Sequence, residues 1–289
     1  MVLDISDNKI KNKQLANKLL NIRLSILEHC AIRGGHLASS FSCVEIMGVL
    51  FEKHFTISQP YQNLLNRDNF ILSKGHAENS YYAFLVDMGF LTKENIFKNY
   101  RAGNFEIGGH PSNKTPGIDA STGALGHGIG LGCGMAFAKK KFNIHKKVLV
   151  LMGDSECTEG SVWESAIFAS THKLNNLCIM IDNNGLGATD FTNKFTDIDN
   201  LHYKFQAFGF DVTVCENGNH INEVSKSFEK ALIENQSPKP KAIIFQTKKA
   251  FGAGRIANTQ MCHSLRVTEA IYKEISIELY KNYLESVTE

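Results

Sequence analysis

Two strongly apolar segments that each end in oxygen-bearing side chains constrain this sequence more than any other feature. Residues 148–152 (Val-Leu-Val-Leu-Met) run into Gly153 and Asp154, and residues 177–181 (Leu-Cys-Ile-Met-Ile) run into Asp-Asn-Asn at 182–184. Segments this apolar on both faces are typical of parallel strands that helices cover on either side. Ligands of such sheets bind just beyond the carboxyl ends of the strands. The sequence therefore predicts a ligand site near Asp154 and Asn184.

Asp154 and Asn184 form a sparse set of ligands for a divalent cation. Mg²⁺ takes about six oxygens in octahedral array and usually obtains several of them from water and substrate phosphates. One carboxylate and one amide oxygen therefore indicate a diphosphate carried on magnesium. Asp154 could instead simply cap the helix that we predict from about residue 159, because Asp is common at that position. The pair alone leaves both interpretations open.

Composition and charge exclude several classes of protein. The 289 residues carry a formal net charge of +2 without a concentrated basic block, which argues against nucleic acid or an anionic membrane as partner. The 7 cysteines are scattered without zinc-type spacing, as is typical of reduced thiols in a cytoplasm. No apolar run approaches the roughly 20 residues of a membrane span, and the acidic first residues do not resemble a signal peptide. We therefore expect a cytoplasmic protein.

Strand-like and helix-like segments alternate along the whole chain. Apolar spacing predicts a first helix over residues 9–32 and a second over 42–53, the latter opened by Ser42 and Glu45 as a capping box. The further predicted elements are a strand at 69–73, a helix after it, a long loop over 101–125, a small-residue helix from 126, the strand at 148–152, a helix at 159–172, the strand at 177–181, strands near 210–215 and 241–247, and a last helix over 267–284. This alternation predicts a single α/β domain over residues 1–289, with a doubly wound, mainly parallel sheet and helices on both faces.

Five short motifs occur in an order that resembles the N-terminal, diphosphate-binding domain of transketolases. They are Arg-Gly-Gly-His at 33–36, Leu-Ser-Lys-Gly-His at 72–76, Gly-His-Pro at 109–111, Ser-Thr-Gly-Ala-Leu-Gly-His-Gly at 121–128, and Gly-Asp-Ser-Glu-Cys-Thr-Glu-Gly at 153–160. The resemblance extends from about residue 15 to about residue 270. Transketolase chains are more than twice as long, and their middle domain binds the pyrimidine of the cofactor. The sequence thus looks like the N-terminal subunit of a split, two-component transketolase.

The resemblance implies thiamine diphosphate as cofactor, together with Mg²⁺ or with Ca²⁺ or Mn²⁺ in its place. The implied metal ligands are the side chains of Asp154 and Asn184 and the carbonyl of Leu186. The residues expected to contact the cofactor are His76, Gly123, Leu125, Gly153, Asp154, Ser155 and Asn184. Ser155 departs from the family pattern, because transketolases usually have Gly there.

Histidines in glycine-bounded turns are the expected catalytic groups. One such histidine alone would most simply be structural. His36, His76 and His110 together, at one edge of the sheet, could bind substrate hydroxyls and move protons near neutral pH. The resemblance adds His263 to this substrate channel, and it makes Glu159 the acid that links the two active sites of a dimer. Glu159 could equally be a favourable charge at the start of a helix.

The function that the resemblance implies is ketol transfer from a ketose, expected as its phosphate, to an aldose acceptor. The glutamate that activates the pyrimidine would come from a C-terminal subunit, so we expect a heterotetramer built on a dimer. Two alternatives stay open at this point. One is a related carboligase, of the deoxyxylulose phosphate synthase type or from a specialised sugar or secondary-metabolite pathway. The other is a non-catalytic paralogue that only binds.

Overall fold

Five parallel strands form one sheet at the centre of the computed structural model. The strands are β1 (Asn69–Leu72), β2 (Val148–Gly153), β3 (Leu177–Asn183), β4 (Asp211–Cys215) and β5 (Lys241–Gln246). Their spatial order is β1-β2-β3-β5-β4, and every neighbouring pair is parallel. The residues that the structure describes are 2–55, 64–103, 106–196, 198 and 200–288.

Helices cover both faces of the sheet. They are α1 (Val2–Arg33), α2 (Leu37–Ser42), α3 (Val44–Val49), α4 (Glu78–Asp87), α5 (Lys93–Asn99), α6 (His127–Lys141), α7 (Gly160–Thr171), α8 (Thr192–Phe195), α9 (Leu201–Ala207), α10 (Ile221–Phe228) and α11 (Glu269–Thr288). Within the described ranges, no helix has the length and apolar character that crossing a membrane requires.

Successive residues of each strand contribute to different cores, because strand side chains alternate between the two faces. On β2, Leu149 and Leu151 pack with α1 to α4, α10 and α11, whereas Val148 and Val150 pack with α6, α7 and α9. Glycines let α6 lie close to the sheet, since a Cβ on Gly132 would come within 2.6 Å of Val150. The all-apolar strands of the sequence are thus explained by burial on both sides.

The register of the sheet brings its functional segments to one edge. Gly153 lies opposite Asp182, and Asn183 lies opposite Gln246, so β2, β3 and β5 end at the same level. β1 ends beside Leu151 and continues into the segment 73–76. Residues that are distant in sequence therefore meet beyond these strand ends.

The α/β architecture predicted from the sequence is confirmed, but the predicted capping box at residues 42–45 is wrong. Ser42 ends α2 instead of opening a helix, and its hydroxyl donates a hydrogen bond to Asp182. Glu45 forms a buried ion pair with Arg23 of α1. Both side chains serve long-range contacts, and local spacing carries no information on such contacts.

Candidate active site

A cleft of about 520 Å³ opens at the carboxyl edge of the sheet. It is lined by eight of the predicted site residues, which are His76, Leu125, Gly153, Asp154, Ser155, Asn184, Leu186 and His263. Its other lining residues are Ser39, Lys74, Glu156, Gly187, Ala188 and Lys249. The structure therefore brings together residues from three of the five motifs with Asn184 and Leu186 after β3, as the parallel topology requires.

Asp154 is buried at the floor of this cleft. Its carboxylate accepts hydrogen bonds from the backbone N–H of Ser155 at 2.6 Å and of Gly185 at 2.6 Å. Burial, and after it the neighbouring Asp182, raise the pKa of Asp154 to about 6, against the effect of these two N–H donors. Asp154 also caps the short 3₁₀ turn over 155–158, so the capping role and a ligand role are compatible in one side chain.

Asn184 and Leu186 supply the other expected metal ligands beside Asp154. The side-chain oxygen of Asn184 accepts from the N–H of Leu186 at 3.1 Å. The carbonyl of Leu186 accepts from the ammonium group of Lys249 at 2.8 Å, and so does that of Gly187 at 2.7 Å. Each of these oxygens has a second lone pair, so the donor set fits a divalent cation that takes further oxygens from a ligand.

Metal binding by protein side chains alone does not fit this cleft. No cluster of three or more His, Cys, Asp or Glu side chains suited to a metal occurs in the part of the chain that the structure describes. An added Cβ on Gly153 would meet only Lys74, at 4.0 Å, so the backbone there faces open space that a ligand can fill. The arrangement suits a diphosphate that brings its cation with it.

Lys74 and Asp182 form a buried ion pair that the sequence analysis did not identify. The Lys74 ammonium contacts the Asp182 carboxylate, which also accepts from the hydroxyls of Ser42 and Thr247. Burial alone would raise the pKa of Asp182, but Lys74 and these hydroxyls hold it below its usual value. Asp182 lies in the Asp-Asn-Asn segment and Lys74 in the motif at 72–76. Nothing in the sequence indicates that these two side chains pair.

Glu156 ties the turn after β2 to its surroundings. Its carboxylate accepts from the hydroxyl of Ser73 and from the N–H groups of Gly126 at 2.9 Å and Gly153 at 3.2 Å. Burial raises the pKa of Glu156, and these donors oppose that effect. Three motifs are thereby fixed relative to one another through one carboxylate that the sequence analysis had not singled out.

Four histidine rings form a cluster at one side of the cleft. The ring centroids of His36 and His76 are 4.8 Å apart, and those of His76 and His110 are also 4.8 Å apart. His263 lies 6.1 Å from both His36 and His76. Gly123 permits this packing, because an added Cβ there would come within 2.9 Å of the His110 ring. The structure thus brings all four predicted histidines together.

Three of these rings are neutral at neutral pH. Burial, and after it the other three histidines, lower the pKa of His76 to about 4. Burial and then Lys249 lower the pKa of His263 to about 4. Burial and then His36 lower the pKa of His110. Neutral imidazoles can both donate and accept hydrogen bonds, which suits contacts with sugar hydroxyls.

His36 differs from the other three because it faces a buried carboxylate. Its Nδ1 lies 3.4 Å from Oε1 of Glu78, which also accepts from the Tyr100 hydroxyl at 3.0 Å. The other oxygen of Glu78 has no hydrogen-bond partner among the described residues. Burial raises the pKa of Glu78, while His36 and Tyr100 act in the opposite direction. A carboxylate at Nδ1 favours the tautomer with its proton on that nitrogen, which leaves Nε2 for another group.

Glu159 lies apart from the cleft. It is exposed at the N-terminal boundary of α7 and makes no capping hydrogen bond there. Its side chain lies close to Gly126, at which an added Cβ would come within 2.6 Å of Glu159. The role in linking two active sites therefore stays a prediction, and it concerns the surface of this chain.

The amino-acid sequence matches a known protein family over most of its length. Residues 12–281 match the family model described as "Transketolase, thiamine diphosphate binding domain". The chain is 34% identical over 268 residues to one of the subunits of the apulose-4-phosphate transketolase of Actinobacillus succinogenes, covering 92% of this chain and 94% of that protein. It is 34% identical over 270 residues to human transketolase, covering 93% of this chain but only 42% of the human protein.

A solved structure gives the same result for the fold. The crystal structure of transketolase from Campylobacter jejuni superposes with a TM-score of 0.83 at 28% identity. The superposition covers 94% of this chain and 43% of that one. This chain therefore corresponds to less than half of a full-length transketolase of this kind.

Proposed function

This chain belongs to the transketolase family, and we propose that it is the thiamine diphosphate-binding subunit of a two-component transketolase. It would form a single domain that acts with a C-terminal subunit carrying the pyrimidine-binding domain. The relative from Actinobacillus succinogenes, which is itself named as one subunit of a transketolase, matches this chain over nearly its whole length and supports a split arrangement. The reaction would be transfer of a two-carbon ketol unit from a ketose phosphate to an aldose.

The observation that carries this proposal is the cleft in which Asp154 and Asn184 lie beside His76 and His263. Asp154, Asn184 and the Leu186 carbonyl would hold Mg²⁺, and the backbone at Gly153 would approach the diphosphate. Lys74 and Lys249 line the same cleft and supply positive charge for a diphosphate. Thiamine diphosphate, when bound, supplies the electron sink for cleavage of the bond next to a ketose carbonyl.

The histidine cluster would bind and orient the sugar. The neutral rings of His76, His110 and His263 can accept hydrogen bonds from hydroxyls or donate to them as the substrate requires. His36, which faces Glu78 through Nδ1, would accept the proton of a substrate hydroxyl at Nε2 as that oxygen develops negative charge.

An apolar face on α6 and α7 supports the proposal that a partner subunit binds this chain. Its exposed side chains are Leu131, Phe137, Ile167 and Phe168, with exposed fractions from 38% to 56%. Gly134 lies on the same face, and an added Cβ there would meet nothing within 4 Å. Exposed apolar patches of this kind usually mark an interaction site. A heterotetramer built on a dimer would cover this face.

Reconstitution tests the proposal. This chain is mixed with a C-terminal transketolase subunit, thiamine diphosphate and Mg²⁺, and transfer from xylulose 5-phosphate to ribose 5-phosphate is measured. We expect activity only with both chains present. Full activity of this chain alone would contradict the split-enzyme proposal, and an assembly that uses a keto acid but no ketose would favour another carboligation.

Asp154→Ala tests the metal assignment separately. Asp154 and Asn184 provide too few oxygens to hold Mg²⁺ without the diphosphate, so cation and cofactor are expected to bind as a unit. The variant is expected to lose both, as measured by calorimetric titration with thiamine diphosphate in the presence of Mg²⁺. Asp211→Ala, at the opposite end of the sheet, is the matched control. Equal cofactor affinity in Asp154→Ala and wild type would contradict the assignment.

A further inference from the structure

Ser155 places a hydroxyl group in the cofactor cleft, at a position where transketolases usually have a glycine. It lines the cleft together with Asp154, Asn184 and Leu186, the three residues expected to hold the cation. A glycine would offer only backbone atoms there. The serine adds an oxygen that can form hydrogen bonds or bind a hard cation. This chain therefore carries one more polar group in the wall of the cleft than the family pattern provides.

The hydroxyl of Ser155 lies beside a carboxylate oxygen of Asp154. Oγ of Ser155 is 3.3 Å from Oδ1 of Asp154. With metal–oxygen distances of about 2.1 Å for Mg²⁺ and about 2.4 Å for Ca²⁺, neighbouring oxygens of an octahedral shell lie about 3.0 Å and about 3.4 Å apart, respectively. The two side-chain oxygens therefore have the separation of adjacent ligands of one cation, and the distance is closer to the value for Ca²⁺.

Only a weak hydrogen bond holds the Ser155 hydroxyl in place. Its distance to Asp154 is long for a bond between two oxygens, which typically measures about 2.7–2.8 Å. Asp154 does not depend on it, because the backbone N–H of Ser155 donates to the same Oδ1 at 2.6 Å. The hydroxyl of Thr158 in the same turn differs, since it donates to the carbonyl of Ser155 at 2.8 Å. The Ser155 oxygen is therefore available to a ligand in the cleft.

The expected ligands leave one position of the cation's oxygen shell open. Asp154, Asn184 and the carbonyl of Leu186 supply three protein oxygens, and a diphosphate can supply about two more. Mg²⁺ takes about six oxygens, so one position remains for water or for a further protein group. Ser155 follows Asp154 in the chain and lies next to its carboxylate, so its hydroxyl can take that position.

We propose that the hydroxyl of Ser155 is a fourth protein ligand of the cation and shifts the preference of the site toward Ca²⁺. This inference rests on the proposed function and deepens it, because it concerns the cation of the same cleft. Mg²⁺ gives up water reluctantly and demands near-ideal octahedral geometry, whereas Ca²⁺ accepts six to eight oxygens in flexible arrangements. Replacing a bound water by a hydroxyl of fixed position therefore favours Ca²⁺. The cation still depends on the diphosphate, since the hydroxyl adds no charge.

Ser155→Ala and Ser155→Gly test the proposal through cation binding, without turnover. The full chain, with excess thiamine diphosphate, is titrated calorimetrically with Ca²⁺ and with Mg²⁺. We expect both variants to lose about tenfold in affinity for Ca²⁺, the size of one polar contact, and about twofold or less for Mg²⁺. Ser155→Thr keeps the hydroxyl and is expected to keep the wild-type ratio of the two affinities. Thr158→Ala, which removes a hydroxyl from the same turn, is the matched control and is expected to keep that ratio as well.

A count of bound water molecules provides a second readout. Mn²⁺, which binds the same oxygen ligands, replaces the cation in the complex with thiamine diphosphate. The width of its electron paramagnetic resonance signal is compared in ordinary water and in water enriched in ¹⁷O, because water bound to Mn²⁺ broadens the signal. We expect one more bound water in Ser155→Ala than in wild type, since water takes the place of the missing hydroxyl.

Equal losses of affinity for the two cations, or an unchanged number of bound waters, would overturn the proposal. A lower affinity for thiamine diphosphate with an unchanged ratio of cation affinities would also overturn it, because the hydroxyl would then contact the diphosphate instead. If the ratio changes but the reconstituted assembly transfers no ketol group, the proposed function fails while the ligand assignment stands. If the assembly is active and the ratio does not change, the ligand assignment alone fails.

Discussion

The pair Arg23–Glu45 and the pair Lys74–Asp182 are both buried ion pairs, but only the second lines the cofactor cleft. Arg23 donates to both oxygens of Glu45, at 2.6 and 2.8 Å, and to the backbone carbonyls of Phe251 and Phe41. Both side chains of this pair are 0% exposed. All three nitrogens of the Arg23 guanidinium have protein acceptors.

The second pair keeps a donor free. Lys74 donates to Asp182 and to the hydroxyl of Ser42, the latter at 3.2 Å, and its side chain is 8% exposed in the cofactor cleft. An ammonium group has three N–H donors, so one is left for a ligand in the cleft. A buried ion pair that is sealed from solvent holds segments of the chain together, whereas a pair with a spare donor in a cleft marks a binding site.

Arg23→Met would test the Arg23–Glu45 pair and is expected to have the largest effect on stability. It leaves Glu45 as an uncompensated buried charge and removes the bond to the segment that carries Phe251. We expect a loss of about 3–5 kcal/mol in the free energy of unfolding, measured by urea denaturation. Arg255→Met, which removes an exposed arginine, is the control and is expected to leave the urea midpoint unchanged. An equally small effect of Arg23→Met would remove the distinction between the two pairs.

Lys74→Met would test the binding role of the second pair. We expect a stability loss of about 3 kcal/mol, at the low end of the range for a broken buried ion pair, because the Lys74 side chain reaches the cleft whereas that of Arg23 is sealed from solvent. Affinity for thiamine diphosphate is expected to fall about tenfold or more, measured by calorimetry where the variant is folded. Lys241→Met is the matched control, since Lys241 is a buried lysine that donates to the Asn175 carbonyl at the opposite end of the sheet. If the control loses as much cofactor affinity, the effect is general destabilisation.

The stability contribution of the cleft histidines depends on pH. The pKa values of His76 and His263 lie at about 4 in the folded chain, below the ordinary value of 6.5. Between pH 4 and 6.5 the unfolded chain therefore binds more protons than the folded chain. The contribution of these two rings to the free energy of unfolding is fully present above pH 6.5 and is lost as the pH falls toward 4. Both rings are partly exposed, which limits the loss to about 1 kcal/mol per ring at pH 5.

Urea midpoints at pH 7 and pH 5 provide the measurement for this prediction. His76→Asn is expected to show a smaller difference between the two pH values than wild type. An unchanged difference would mean that His76 is solvated like a surface residue.

Glu78→Gln is expected to have the smallest effect on stability. Glu78 is buried like the two ion pairs, but it forms only part of its possible hydrogen bonds. One of its oxygens is satisfied, and the other has no partner among the described residues. The amide keeps the shape and removes the charge, so we expect an unchanged urea midpoint. Turnover is expected to fall about fivefold, or about 1 kcal/mol, because the 3.4 Å contact with His36 is at the weak end for a hydrogen bond. Tyr100→Phe, which keeps the charge, is the control, and an equal loss in that variant would contradict the positioning role.

The parts of this molecule that follow from local patterns were predictable. Apolar strands followed by Gly153 and Asp154, or by Asn184, predicted the parallel sheet and the edge at which its ligand residues meet. The pairing of Lys74 with Asp182 was not predictable, because 108 positions separate two charges that only the fold brings together. Glu45 was assigned to a helix cap for the same reason, since its partner Arg23 lies in α1, two helices earlier. Sequence spacing predicts contacts between residues that are close in the chain. It does not predict which distant charges the tertiary structure buries together.

The position of β5 in the sheet also determines how the chain can fold during its synthesis. β5 is the last strand in sequence, but it lies between β3 and β4. A ribosome that adds ~5–20 residues per second needs several seconds to pass from the end of β3 to the end of β5. During that interval β3 has one unpaired edge, and β4 lacks the strand with which it pairs. Exposed strand edges of this kind bind other chains readily. We therefore expect the nascent protein to be prone to aggregation in the interval before Lys241–Gln246 emerges.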